Sequence, residues 1–228
     1  IRPGERLPSE RDLADRLGVS RPSLREAIST LQIRGLLTTK ANAGVFVAEL
    51  LGAPFSPSLT ELFSTHDEAV FDYISFRSDL EGMAAERVAN LGSETDLKVI
   101  QAIFDKMKVA HDNKNSSEEA SLDAQFHMAI IEASHNVFLL HMVRSMFEML
   151  KKGIFYNRQV MFSRHTTRGT LLEQHRSICN AIQNRNAKGA RKAIEDHMDF
   201  IKTCMQEVKK AEANEEIAKL RLDHTTTS

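Results

Sequence analysis

The feature that most constrains the fold is a helical spacing of apolar residues that begins near position 58 and continues almost to the end of the chain. Between the helical segments lie breaks rich in Gly, Ser and Asn, and no segment shows a convincing strand pattern. The spacing predicts helices over 59–65, 67–90, 94–112, 117–134, 137–163, 168–184 and 187–218. We therefore expect an all-α bundle of six or seven helices over residues 58–222, followed by a frayed tail at 223–228.

Polar side chains interrupt the apolar faces of these predicted helices. Asp123 and His127 lie four residues apart on one helix, and His175 and His197 interrupt the stripes of the last two. Burial without partners costs on the order of a few kcal/mol for each group, so these groups should meet in the interior. Any one of these histidines alone fits a core side chain that is hydrogen-bonded to a carbonyl. Together, one carboxylate and three imidazoles without a thiolate suit a first-row divalent ion.

We therefore predict a metal site formed by Asp123, His127, His175 and His197. The ligand types do not choose among zinc, nickel, manganese and iron, and zinc is our first expectation. Four protein ligands would close a tetrahedral site, whereas a six-coordinate ion would keep two positions open for a small ligand.

Another helix carries a cation and an anion on its inward face, because Arg77 and Glu81 continue its apolar stripe. Arg77 and the metal could together hold a small carboxylate, with a neighbouring hydroxyl or keto oxygen completing a chelate. The alternative is a structural salt bridge between Arg77 and Glu81, one turn away. Both hold if Glu81 orients the guanidinium, and we predict Arg77 as an effector-binding residue.

The first 49 residues follow a different pattern. A loop over 1–7 precedes a short helix that begins after Ser9 and ends at Gly18, and Ser20 caps a second helix that Gly35 stops. Two short strands, 36–40 and 45–47, follow, and the turn between them can take positive φ at Asn42 and Gly44. Helix, turn, helix and hairpin predict a winged helix-turn-helix over 1–49, with a linker at 50–57 that contains Gly and Pro.

The outer face of the second helix carries Ser20 and Ser23 at its start and Arg21 and Arg25 beyond them. Serine hydroxyls and free N–H groups at a helix start can hold phosphates, and arginine can bind the O6 and N7 atoms of guanine. A solvated helix face explains the same residues equally well when this feature is taken alone. The hairpin that follows favours the DNA-reading interpretation.

The segment LPSERDLADRLGVSRPSLREAISTLQIRGLL closely resembles the DNA-binding domain of the GntR family of transcription regulators. The resemblance implies DNA contacts from the first two helices and a wing tip that enters the minor groove. It also implies that the family's first helix is missing from this chain. The wing departs from the family's usual glycine run, since it reads ANAGVFV. The residues expected to contact DNA are Arg11, Ser20, Arg21, Ser23, Arg25, Lys40, Asn42 and Gly44.

A second resemblance covers residues 67–205, which look like the FCD effector domain of FadR-type GntR regulators. Its pieces are DYISFRSDLEGMAA, DAQFHMAIIEASHNVFLLHMV, EQHRSICNAI and GARKAIEDHM. It implies a divalent metal on one Asp and three His, which fall on Asp123, His127, His175 and His197, and a carboxylate effector. The general run of residues looks most like regulators of lactate, glycolate and pyruvate metabolism.

These observations favour a ligand-responsive transcription regulator, expected to be a repressor that binds operator DNA as a homodimer. A metal-dependent hydrolase or lyase acting on small carboxylates is the alternative, but the sequence has no HExxH motif and no nucleophile elbow, so we expect no enzyme. A helical scaffold without metal is a third reading. No window approaches the length of a membrane span, and we expect a cytoplasmic protein with reduced Cys179 and Cys204.

Overall fold

The computed structural model describes residues 4–40, 43–48, 67–150 and 165–226. The chain divides into two compact units, Ile1–Pro54 and Phe55–Ser228. The architecture is mainly α with one small sheet, which confirms the predicted fold class. None of the described helices is both long and apolar enough to cross a lipid bilayer.

The first unit is a helix-turn-helix followed by a hairpin. Its elements are α1 (Glu10–Leu17), α2 (Arg21–Ile33), β1 (Leu37–Lys40) and β2 (Gly44–Val47). The Ser9 and Ser20 side chains cap the two helices by accepting from the backbone N–H groups of Asp12 and Ser23. Gly18 ends α1 in the left-handed region, at φ 64°. The strands pair antiparallel, with Leu37 opposite Val47 and Lys40 opposite Gly44.

The predicted loop over residues 1–7 holds for the described residues 4–7, which add one isolated bridge to β2. The Gly4 N–H donates to the Val47 carbonyl at 2.9 Å, and the Leu7 N–H donates to the Val45 carbonyl at 2.8 Å. Arg6 lies opposite Phe46 in an antiparallel bridge. The physical reason is that β2 has only one partner in the hairpin, so its other edge needs hydrogen bonds. Pro3 and Gly4 did not indicate this short pairing in the sequence.

The second unit is a helical bundle. Its described helices are α3 (Asp67–Leu91), α4 (Glu94–Asp112), α5 (Ser116–Ala133), α6 (Val137–Leu150), α7 (His165–Gln183) and α8 (Ala187–Thr226). The predicted helix over 59–65 and the last part of the one over 137–163 lie outside the described residues. Helix α8 extends past its predicted end at 218 and takes in most of the predicted tail. No Gly or Pro follows Gly189 to stop it.

Short connections fold these helices back on one another. Lys114, His135 and Arg185 each take a left-handed conformation, with φ between 51° and 56°, between consecutive helices. Ser93 forms a capping box with Asp96 at the start of α4. Such short links make sequential helices antiparallel neighbours.

Helix α5 lies at the centre of the core. Its Phe126, Ile130 and Ile131 are at most 1% exposed, and the surrounding core includes Ile100 of α4 and Ile178 of α7. A helix that is buried on most sides puts its polar residues in the interior as well. This is why Asp123 and His127 on α5 are buried.

Candidate metal centre and DNA-reading surface

The structure brings the four predicted metal ligands to one point inside the bundle. Asp123 and His127 come from α5, His175 from α7 and His197 from α8, and each offers one ligand atom within 4.8 Å of the others. The four residues are between 0% and 3% exposed. The His175 Nε2 atom lies 3.0 Å from Asp123 Oδ1 and 3.3 Å from His127 Nε2. The sequence predicted this set from residues on three separate helices.

The packing around the rings fixes their orientation. The Phe126 ring stands edge-on to the rings of His127 and His175, at centroid distances of 6.0 and 5.3 Å. The His197 ring lies 4.5 Å from His175 and 5.1 Å from His127, centroid to centroid. Because α5 supplies two donors four residues apart, a single turn of helix presents both to the later histidines.

A hydrogen bond from the other ring nitrogen sets the tautomer of each histidine. Each Nδ1 atom faces an oxygen that accepts, so Nδ1 carries the proton and Nε2 keeps its lone pair for the interior. A metal-ligating histidine needs this arrangement. The acceptors are Glu81 Oε2 for His127 at 2.5 Å, the Leu171 carbonyl for His175 at 2.7 Å, and Gln174 Oε1 for His197 at 2.9 Å.

The donor set fits a divalent cation. The buried Nε2 atom of His197 has no hydrogen-bond partner within the described part of the chain. Burial lowers the pKa of His127, and burial together with the facing rings of His175 and His127 holds the pKa of His197 well below its usual range. The inward nitrogens of these two rings are therefore unprotonated at neutral pH. Converging lone pairs beside a carboxylate form a site that a positive ion would satisfy.

Arg77 lies beside this cluster, and Glu81 connects the two. The Arg77 Nε atom donates to Glu81 Oε1 at 2.6 Å, while the other oxygen of Glu81 accepts from His127. Burial alone would raise the pKa of Glu81, but the charge of Arg77 and the hydrogen bonds from His127 and Arg77 outweigh it and lower this pKa to about 2. Glu81 is therefore ionised. The salt bridge that the sequence offered as an alternative role for Arg77 is present.

A small pocket adjoins this salt bridge. It is lined by Tyr73, Phe76, Arg77, Leu80, Glu81 and Val143. The surface that these residues expose to the pocket is apolar. Arg77 therefore contributes the apolar part of its side chain to the pocket, and its guanidinium bonds to Glu81.

Sequence reasoning missed two residues that orient the ligands. Glu81 appeared in the sequence only as a partner for Arg77, and its bond to His127 joins residues 46 positions apart. Gln174 bonds to His197 across 23 positions. The position of Glu81 in an apolar stripe indicated a buried partner. No spacing in the sequence indicates which residue of another helix that partner is.

In the first unit the predicted DNA-contacting residues of α1 and α2 lie on the surface. Glu10 of α1 holds the arginines of α2, with its Oε2 atom 2.7 Å from Arg25 Nε and 3.8 Å from Arg21 Nη2. The Ser20 and Ser23 hydroxyl oxygens lie 2.8 Å apart at the start of α2. Arg11 is also exposed, with Asp12 beside it at 3.8 Å. The serines and arginines of α2 begin at one helix end, where backbone N–H groups point outward.

The wing presents one polar face and one packed face. Leu37 is buried, and the amide of Gln32 on α2 donates to Thr39 at 2.6 Å, so this face packs on the helices. On the other face the Lys40 ammonium lies 4.7 Å from the centre of the Phe46 ring. Asn42, another predicted contact, lies outside the described residues. These positions follow from the strand register.

Arg6 is a further cation on this outer face, and sequence reasoning did not select it. It pairs with Phe46, and its side chain crosses Gly44, where a Cβ atom would lie only 2.9 Å from Arg6 Nε. Gly44 has φ 99°, a conformation that favours glycine. Glycine at this position therefore serves both the turn and the close approach of the arginine.

These two units define a class of protein. One chain combines a winged helix-turn-helix with an all-α domain in which side chains of metal-ligating types form a buried cluster. Residues 1–47 match the bacterial regulatory proteins of the gntR family, and residues 72–200 match the FCD domain. The chain belongs to the GntR family of bacterial regulatory proteins, in the group that carries an FCD domain. Both predicted resemblances are confirmed.

Individual proteins agree with this assignment. A Glc operon transcriptional activator of Escherichia coli (strain K12) is 33% identical over 211 residues, which are 91% of this chain and 83% of that protein. A second protein of this strain is named for the regulation of an L-lactate dehydrogenase operon. It is 33% identical over 207 residues, which are 89% of this chain and 79% of that protein. Streptococcus agalactiae GntR shares the fold, with a TM-score of 0.55 at 22% identity, over 89% of this chain and 91% of that one.

The family and these relatives are transcription regulators and not enzymes, as the sequence predicted. The hydrolase or lyase alternative is accordingly not favoured. The buried aspartate and histidine cluster is then a candidate for binding and not for turnover.

Proposed function

We propose that this chain is an operator-binding repressor of the cytoplasm whose bundle holds a divalent metal ion and a small carboxylate such as lactate, glycolate or pyruvate. The observation that carries the proposal is the convergence of three Nε2 lone pairs and one carboxylate oxygen, all buried, on one point. Arg77, which Glu81 links to His127, would supply a guanidinium for a carboxylate. A relative named for the regulation of an L-lactate dehydrogenase operon supports a small carboxylate as the chemical class.

Each residue has a stated task in this proposal. Asp123, His127, His175 and His197 would hold the ion, with zinc as the first expectation and nickel, manganese or iron as alternatives. When bound, the ion would act as a Lewis acid for a carboxylate oxygen. Arg77 would bind the other carboxylate oxygen and fix the orientation of the effector.

The DNA-reading part of the proposal rests on the exposed cations of the first unit. Arg21 and Arg25 would read base edges or hold phosphates, and Ser20 and Ser23 would hold phosphate at the start of α2. Further contacts are proposed for Arg11, Lys40, Asn42 and Gly44, and we add Arg6 because it lies over Gly44. A homodimer would put two such units on the half-sites of a palindromic operator.

Regulation requires that the effector bind the two DNA-binding states with different affinities. A carboxylate that favours the state with weak operator affinity would release DNA, and the coupling is reciprocal. Binding of the metabolite would then relieve repression, because it lowers the affinity of the protein for the operator.

The test combines metal content with a ligand screen. Protein purified without added metal should carry about one divalent ion per chain by elemental analysis, and His175→Ala should carry little. Acetate, L-lactate, glycolate and pyruvate would then be tested for thermal stabilisation of the metal-loaded protein. Binding at a hundred times the Kd stabilises by about 2.7 kcal/mol. Absence of metal, or a panel without any stabilising carboxylate, contradicts the proposal.

A further inference from the structure

The three metal-facing histidines differ in what holds their outer nitrogen. His175 bonds to a backbone carbonyl and His197 to the neutral amide of Gln174, whereas His127 bonds to the carboxylate of Glu81. Glu81 also differs in having a second strong contact, to Arg77 Nε at 2.6 Å. The side chains of Arg77 and Glu81 are only 7% and 2% exposed, so solvent screens this connection little.

We infer that Glu81 is a positioning residue that couples anion binding at Arg77 to metal binding at His127. This inference deepens the proposed function and depends on it, because it concerns how the two parts of the proposed site communicate. The geometry gives one unbroken path: guanidinium, carboxylate, imidazole, inward Nε2 atom. Gln174 provides no such path, since its described bond is to His197.

The sign of the coupling follows from charge. In the structure, Arg77 neutralises part of the negative charge of Glu81. A carboxylate that binds Arg77 competes for the guanidinium and leaves more negative charge on Glu81. The bond from His127 Nδ1 to Glu81 then strengthens, and a stronger acceptor on Nδ1 makes Nε2 a better metal donor. Carboxylate binding should therefore tighten metal binding, and metal binding should tighten carboxylate binding by the same factor.

The chain offers a matched pair of variants. Glu81→Gln keeps the size of the side chain and an oxygen acceptor for His127, but removes the charge shared with Arg77. Gln174→Ala removes the acceptor of another ligand without touching Arg77. Both should weaken zinc binding about 10- to 100-fold, as loss of outer-shell partners does. Only Glu81→Gln should weaken the coupling.

The experiment measures the zinc affinity of the full chain by chelator competition, in acetate and in chloride at equal ionic strength. Acetate supplies the carboxyl group alone. In the wild-type chain and in Gln174→Ala, acetate should raise zinc affinity about fivefold or more. In Glu81→Gln this ratio should fall clearly below the wild-type value, to the part that direct contact between acetate and the ion supplies. A side chain that only stabilised the fold would lower the free energy of unfolding in Glu81→Gln and leave the ratio intact.

Two outcomes overturn the inference while leaving the metal site in place: the same ratio in Glu81→Gln as in the wild type, or no effect of acetate on the wild type. A wild-type chain that does not bind zinc instead contradicts the proposed function itself. If Glu81→Gln fails to fold because Arg77 is left unpaired, the double variant Arg77→Met/Glu81→Gln removes the buried pair as a unit. It should bind zinc with a ratio below the wild-type value, and a ratio equal to the wild-type value again overturns the inference.

Discussion

The buried aspartate and histidine cluster of the bundle and the arginines of the helix-turn-helix are both polar, but they are held in opposite ways. The four cluster residues are at most 3% exposed, whereas the side chains of Arg21 and Arg25 are 59% and 62% exposed. In the bundle, hydrogen bonds fix the rings because burial penalises any polar group without a partner. On α2, the two arginines are paired with Glu10 in contact with water, where an ion pair contributes little to stability.

Because of this difference, we expect some substitutions to change both the stability of the protein and its ligand binding, and others to change binding alone. A buried polar side chain has partners that remain in the interior when it is removed, so its loss affects both properties. An exposed side chain leaves its partner in water, so its loss affects mainly the ligand that it binds. The following substitutions test this distinction between buried and exposed polar side chains, in order of decreasing expected effect.

The largest effect should come from breaking a buried ion pair in the bundle. Arg168 of α7 donates from Nε to Glu119 of α5 at 2.9 Å, and these residues are 9% and 3% exposed. Arg168→Met leaves a buried carboxylate without its cation and should cost about 3–5 kcal/mol of unfolding free energy. Arg25→Met, which breaks the exposed pair with Glu10, should cost about 0–1 kcal/mol. Urea denaturation measures both, and equal losses would remove the distinction between the two regions.

The second largest effect should come from the loss of a proposed metal ligand. His175→Ala should reduce zinc affinity by more than the roughly 100-fold that loss of an outer-shell partner causes, because it removes a donor atom itself. His135→Ala is the control, since His135 is exposed and bonds to Asp96 at 2.8 Å away from the cluster. Isothermal titration with zinc compares the two variants. Wild-type affinity in His175→Ala would show that the cluster is an ordinary buried polar network.

A recognition-helix arginine should have a smaller effect, confined to DNA. Arg25→Ala should weaken binding to a duplex selected from a random library by about 1–3 kcal/mol, because a bidentate contact to a base is lost. Zinc affinity should not change, and the unfolding free energy should fall by about 1 kcal/mol at most. Fluorescence anisotropy with the labelled duplex measures the loss. The exposed Lys98→Ala on α4 removes the same charge outside the reading unit and should bind DNA like the wild type.

The smallest effect concerns the wing. Arg6→Ala should reduce the slope of log affinity against log salt by about one, because one phosphate contact disappears. The loss should be similar for every duplex sequence, unlike that of Arg25→Ala. An unchanged slope in the same anisotropy assay would mean that Arg6 only covers Gly44.

The sequence predicted the bundle and the membership of the cluster for one physical reason. Apolar residues at helical spacing tell which side of each helix faces inward, so Asp123, His127, His175 and His197 could be assigned to a common interior. Spacing carries no information about which inward residues touch across helices. The contact between Glu81 and His127 and that between Gln174 and His197 therefore required the structure.

Non-local pairing explains the remaining differences. Residues 4–7 form a bridge to β2, some forty residues further along the chain, which Pro3 and Gly4 did not indicate. The extent of α8 was underestimated because its polar end lacks an apolar stripe, yet the absence of Gly and Pro lets the helix continue. The ion pair between Lys219 and Glu215, at 3.9 Å, crosses the predicted end at 218.

The most direct test is whether effector binding in the bundle changes DNA binding by the helix-turn-helix. It measures the DNA affinity of the full chain while metal and carboxylate are varied independently. Affinity for the selected duplex would be measured with zinc or a chelator, and with or without the carboxylate that stabilises the protein most. We expect the carboxylate to weaken DNA binding about fivefold or more only when zinc is present. We expect the DNA affinity of His175→Ala not to change when the carboxylate is added. An equal response without metal, or a wild-type response in His175→Ala, would contradict this expectation.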